Sequence, residues 1–190
     1  MSNILKEVVQ SEANKLNNSA FIEEQKQLGR NPYGLADLES LWNNQRFTFA
    51  DILHELTDAA RKRLIGRIKV ILLFLVSRDS IPSDFVPLLC ELLELRDGNI
   101  ANEDIIELLG EAGDKRAIPS LVNVVWDDGF PGIDENYWAA KKAIQSLSEI
   151  GGVEGRTALS NAIEHNSTEI KEECRQLLRM SGDRNASRGI

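Results

Sequence analysis

Residues 109–114, Leu109-Gly110-Glu111-Ala112-Gly113-Asp114, return 38 positions later as Leu147-Ser148-Glu149-Ile150-Gly151-Gly152. No other feature of the chain narrows its fold so far. A leucine four residues before a glycine marks the last turn of a helix, because glycine takes the left-handed cap at little cost. A second apolar stretch follows each copy: residues 117–125, with Leu121 and Val125, and residues 155–163, with Leu159 and Ile163 at the same offset. A third echo, Leu178-Arg179-Met180-Ser181-Gly182-Asp183, stands 31 residues further on. It is expected to close a lone first helix over residues 168–180. Two helices in a period of thirty-odd residues are the signature of stacked helical hairpins.

The rest of the chain also reads as helix. Its five prolines lie between helical stretches or near a helix start, where they do no harm. Residues 3–28 predict one or two amphipathic helices, with Ile4, Val8, Val9 and Leu16 as one stripe and Phe21, Ile22 and Leu28 as another. Gly29 would close that segment, and Asn31-Pro32 marks a turn. Further helices are expected over 35–41, over 49–56 behind a Thr48 cap, over 59–76 and over 84–95. The third of these is the most apolar, with Leu64, Ile68, Ile71, Leu72 and Leu75 at helical spacing and five bases at positions 61–69. Those bases are expected to decorate its exposed side beside Glu55 and Asp58. The longest apolar run, residues 70–76, is far short of the ~20 needed to cross a bilayer. Residues 1–15 lack the apolar stretch of a secretory leader. Cys90 and Cys174 have no CxxC or Cys/His neighbour, so both are expected to be buried free thiols. These features point to a cytoplasmic protein.

Residues 108–121, Leu108-Leu109-Gly110-Glu111-Ala112-Gly113-Asp114-Lys115-Arg116-Ala117-Ile118-Pro119-Ser120-Leu121, resemble the HEAT-like repeat of the phycobilisome-lyase type. That family's pattern is approximately A-L-G-x-I-G-D-x-R-A-V-P-x-L. The second copy departs from it, with Gly152 in place of the aspartate and Thr157 in place of Pro119. The resemblance covers residues 98–183. It implies an all-α, HEAT-like, right-handed solenoid of three to five hairpins. The implied divisions are an N-terminal helical extension over 1–57, repeats over 58–183 and a disordered tail over 184–190, together forming one compact unit. It also implies that second helices line a concave face, placing Ser120, Asn123 and Asp127 from one hairpin beside Ser160, Asn161 and Glu164 from the next.

Charge then bounds the partner. The formal net charge is −8, and it is uneven: residues 98–173 hold fifteen acids and six bases, a net of −9. Such a surface repels nucleic acid and anionic membrane and attracts basic proteins. Residues 126–138 alternate carboxylates with large rings, and aromatic anchors beside steering charges suit a protein interface. The candidate partner-binding residues are therefore Asp127, Asp128, Phe130, Asp134, Glu135, Tyr137 and Trp138, with Asn123, Asn161 and Glu164. In the competing reading, Trp126, Phe130 and Trp138 fold back over their own hairpins and Asp134 caps the next helix. His54 and His165 stand alone, and there is no HExxH, nucleophile elbow, phosphate loop or EF-hand. Gly151-Gly152-Val153-Glu154-Gly155 joins helices rather than following a strand. No catalytic residue, metal or cofactor is expected.

The expectation is a non-enzymatic protein-binding module that needs neither nucleic acid nor membrane. Its sharpest form is an immunity protein, as in contact-dependent growth inhibition, holding a basic toxin such as a nuclease against an acidic face. The alternatives are a HEAT-like scaffold or regulatory adaptor, a bilin-lyase-like protein handling a tetrapyrrole, and a DNA glycosylase. The oligomeric state stays open.

Overall fold

The computed structural model describes residues 3–27, 35–130, 137–165 and 167–186, without the side chains of Gln25 and residues 181–186. The described residues form eleven α-helices and no strands, as an all-α chain requires. They belong to two compact units, Met1–Asp79 and Ser80–Ile190.

The first unit holds α1 (Asn3–Leu16), α2 (Ser19–Gln27), α3 (Ala36–Asn43), α4 (Phe49–Arg61) and α5 (Ile65–Val76). Helix α5 buries Ile68, Val70, Ile71, Leu72, Phe74 and Leu75. It is thus apolar nearly all round, as a central helix must be, and α1 and α4 pack against it. The buried stripe of α1 is Leu5, Val9, Glu12 and Ala13, one position off the expected one, and Ile4 is exposed. Thr48 and Asp51 cap α4 reciprocally: Asp51 N–H donates to Thr48 Oγ1 at 3.4 Å, and Thr48 N–H donates to Asp51 Oδ2 at 2.8 Å. This is a capping box, in which two orphan donors of the first turn are satisfied.

Three expectations are corrected here. Residues 59–76 are not one helix, because Arg63 adopts a left-handed φ of 53° and ends α4 before α5 begins. The basic residues therefore cluster around a turn. Asp58 collects Lys62 at 2.7 Å, Arg61 at 2.8 Å and Lys6 at 3.7 Å. Those partners, Lys62 first and then Arg61, hold its carboxyl down at about 2. The division expected at residue 57 falls inside α4, and the chain forms two units rather than one. The cause is packing: α1 lies on α5, so residues 1–57 share a core with the apolar helix that follows them. Expectations for Leu28, Gly29 and Asn31-Pro32 lie outside the described residues.

In the second unit a 3-10 turn, Ser83–Phe85, leads into α6 (Val86–Glu94). Then come α7 (Asn102–Ala112), α8 (Ile118–Trp126), α9 (Trp138–Ile150), α10 (Gly152–Ala162) and α11 (Thr168–Ala186). Helix α7 packs on α9 and α9 on α11, while α6 packs on α8 and α8 on α10. Two layers result, and the 38-residue offset maps α7 onto α9 and α8 onto α10. Leu109 and Leu147 are fully buried, as are Ile106 and Ile144, and so is Leu121, with Leu159 nearly so. Gly113 and Gly151 both take positive φ, 63° and 66°, at the ends of α7 and α9.

Two glycines permit close helix approach. A Cβ on Gly110 would lie 2.7 Å from Ser146 Oγ and Glu149 Oε2, and one on Gly155 would lie 2.6 Å from the Leu147 carbonyl. The copies differ at their turns. Asp114 accepts the Arg116 N–H at 2.9 Å and Pro119 opens α8. The second copy has neither residue, and α10 starts directly after Gly151. The third echo is corrected: Gly182 lies within α11, which runs on to Ala186. The tail expected from residue 184 therefore starts as helix, and residues 187–190 lie outside the described residues.

Candidate functional site

Ser120, Asn123 and Asp127 recur at three and seven residues, so they share one stripe of α8. Helix α6 packs beside that stripe. The two helices bound a cleft of about 250 Å³ lined by Leu93, Glu94, Arg96, Ser120, Asn123, Val124, Asp127 and Phe130. Ser120 is buried and donates its hydroxyl to Glu94 Oε1 at 2.8 Å. Asn123 is exposed at the cleft. Asp127 ends α8, and its Oδ1 accepts the Gly129 N–H at 3.2 Å. Phe130 N–H then donates to the Asp127 carbonyl at 3.0 Å, a tight turn that tucks the Phe130 ring into the wall. Arg96 reaches Asp127 Oδ2 at 2.9 Å from just beyond α6.

Trp126, the last residue of α8, belongs to an aromatic patch. Trp126, 45% exposed, packs its ring 5.3 Å from that of His165, and Tyr137 meets the same imidazole edge-on at 6.2 Å. His165 is buried, and its Nδ1 accepts the Ser167 N–H at 3.0 Å. The imidazole thus acts as a spacer between two rings.

A second cleft, of about 270 Å³, opens on the other layer between α7 and α9. Glu103, Glu107 and Glu111 recur every four residues along α7. Trp138 Nε1 donates to Glu103 at 2.7 Å and Lys142 donates to Glu107 at 2.9 Å, both 35 residues apart in sequence. Glu111 lines the same cleft with Gln145, Ser146 and Glu149, and among the described residues it makes no ion pair. Partial burial pushes the Glu111 carboxyl up even though its outer part is exposed, and Glu107 and Glu149 push it the same way.

The sequence-predicted residues are thus dispersed. Asn123, Asp127 and Phe130 share the α6–α8 cleft, and Phe130 is buried as the fold-back reading expects. Tyr137 joins Trp126 through His165. Trp138, 49% exposed, instead donates to Glu103 of α7, and Tyr137 takes a left-handed φ of 53° just before α9. Asp128, Asn161 and Glu164 are exposed. Asp134 and Glu135 lie outside the described residues. Sequence reasoning missed Glu94, Arg96, the bridging role of His165 and the α7–α9 carboxylates; only the four-residue spacing of the α7 glutamates was there to be read. Among the described residues no group of three His, Cys, Asp or Glu side chains could hold a metal ion, and no helix is long and apolar enough to cross a membrane. No family model, curated protein or solved structure matches this chain.

Proposed function

We propose that the second unit is a non-enzymatic binding module for a basic protein, built as a HEAT-like right-handed α-solenoid and working in the cytoplasm. In its sharpest form it is an immunity protein that neutralises a basic toxin, such as a nuclease. The observation that carries this reading is the α6–α8 cleft. It places Glu94, Asn123 and Asp127 together, and the half-exposed Trp126 immediately precedes Asp127 in the chain; a polar pocket with an aromatic residue next to it in sequence suits a protein interface. The net −9 of residues 98–173 adds a long-range field that speeds encounter with a cation-rich surface and weakens as salt rises. The two layers of helices, with equivalent residues buried 38 positions apart, support the solenoid reading. Both cysteines are free, which suits a reducing compartment.

The test is co-purification from the native host with wild type and the charge reversals Asp127→Lys and Asp128→Lys. The expected outcome is one stoichiometric partner of high isoelectric point that both reversals release. An acidic partner, or a basic one retained by both variants, would sink the proposal. Failure to protect cells from a toxin encoded beside this gene would remove the immunity form alone.

A further inference from the structure

The α6–α8 cleft already contains a guanidinium, and that group is poorly held. Arg96 sits just past α6 with a left-handed φ of 52°, a conformation that glycine takes freely and other residues adopt at a cost. Its side chain is 57% exposed. Its Nη1 comes within 2.9 Å of Asp127 Oδ2, yet not along a hydrogen-bonding direction: among the described residues that buried oxygen has no hydrogen-bond partner. The acceptor side is well built by contrast. Oδ1 of Asp127 is tied to the Gly129 N–H, and Glu94 is tied to the buried Ser120 hydroxyl. Fixed acceptors meet a loose, strained donor.

We propose that the cleft is a receptor for one arginine side chain of the partner protein, and that Arg96 is an internal stand-in which the incoming guanidinium displaces. The inference rests on the reading that the partner is a basic protein. A cleft of about 250 Å³ lies below the ~300–1,000 Å³ of small-molecule and cofactor sites. It suits a single side chain. Leu93, Val124 and Phe130 line it for the alkyl stem, while Glu94, Asn123 and Asp127 offer acceptors to the head. Arginine fits better than lysine because its planar fork can address several oxygens at once and is more weakly hydrated. In the free protein the displacement of Arg96 is a tax on binding: if the closed pair is populated about nine-tenths of the time, apparent affinity falls about tenfold.

The experiment needs no partner, so its failure is distinguishable from failure of the partner reading. N-acetyl-L-argininamide is titrated into the full chain and followed by amide NMR shifts, with N-acetyl-L-citrullinamide as the uncharged isostere. Wild type, Arg96→Gly and Asp127→Asn are compared. Arg96→Gly removes the stand-in and relieves the left-handed backbone, so it keeps the fold; thermal melts check all three proteins. The expected result is a dissociation constant about tenfold lower for Arg96→Gly than for wild type, with shifts at Ser120, Asn123 and Gly129. The Asp127→Asn variant should bind at least about tenfold more weakly than wild type, as loss of a charge-assisted pair requires, and citrullinamide should not bind. Equal affinity of wild type and Arg96→Gly, equal binding of citrullinamide, or shifts confined to other surfaces would overturn the assignment.

Discussion

Replacing Gly110 by alanine tests the close approach of α7 and α9 that forms one side of the second unit. The new Cβ would stand 2.8 Å from Ser146 Cβ and 2.7 Å from both Ser146 Oγ and Glu149 Oε2. The Glu149 carboxylate is the end of a flexible side chain and can swing away. Ser146 cannot, because its Cβ is fixed by the α9 backbone and its hydroxyl donates to the Ile106 carbonyl at 2.9 Å in a buried bond. Carbon atoms need about 3.5 Å or more, so the helices must part by roughly 0.7–1 Å. Overpacking of this kind costs about 1–3 kcal/mol, and loss of the Ser146 bond adds about 1 kcal/mol. Alanine returns about 1 kcal/mol through its higher helix propensity. The net destabilisation is therefore about 1–3 kcal/mol, or roughly 3–10 °C in Tm for a chain of this length. Thermal melts by circular dichroism read it directly, and urea titration gives the free energy. An unchanged or higher Tm would show that α7 and α9 do not approach so closely.

Arg67→Met should destabilise the first unit by about 3–5 kcal/mol, because Glu55 is fully buried, pairs with Arg67 at 3.0 Å and would be left as an uncompensated charge; adding Glu55→Gln should recover a substantial part, and chemical denaturation of the single and double variants checks this. Glu111→Gln should raise stability at neutral pH. The Glu111 carboxyl is pushed up in the folded chain, so its ionised form is disfavoured there and the penalty fades as pH falls through the folded pKa; the advantage of the variant should shrink on acidification from neutral pH into the ordinary carboxylate range, and a constant or growing advantage would contradict the cause given. Burial pushes the Cys174 thiol up to about 11 and raises that of Cys90, so alkylation at pH 7.5 should be slow for both in the native chain and fast after unfolding, as mass spectrometry would show.

The helices from residue 102 onward were legible because their signals are local. Leucine and glycine at fixed spacing mark helix ends, and equal offsets mark equivalent buried positions, as Leu109 and Leu147 illustrate. The α4–α5 break was not legible. Arg63 takes the left-handed turn without a glycine or proline beside it to announce it, and the same holds for Gln45. The buried carboxylates were hidden for another reason. Lys15, which pairs with Glu12 one turn away, reaches on to Asp37 across 22 residues, and Arg67 joins Glu55 to Gln10 across 57 residues; no periodicity predicts pairings of the longer range. At the site, residues 120, 123 and 127 were expected on one face only because residues 108–121 resemble a HEAT-like repeat, and all three line the α6–α8 cleft. Tyr137 meets His165 while Trp138 donates to Glu103, and the left-handed φ of Tyr137 is one that side-chain chemistry does not dictate.

Amide hydrogen exchange on the complex with its captured partner would locate the binding surface. Protection is expected along α8 and residues 127–130, with α7 and the facing side of α9 exchanging as in the free protein. Protection confined to the α7–α9 cleft, or none anywhere in the second unit, would contradict a basic partner seated between α6 and α8.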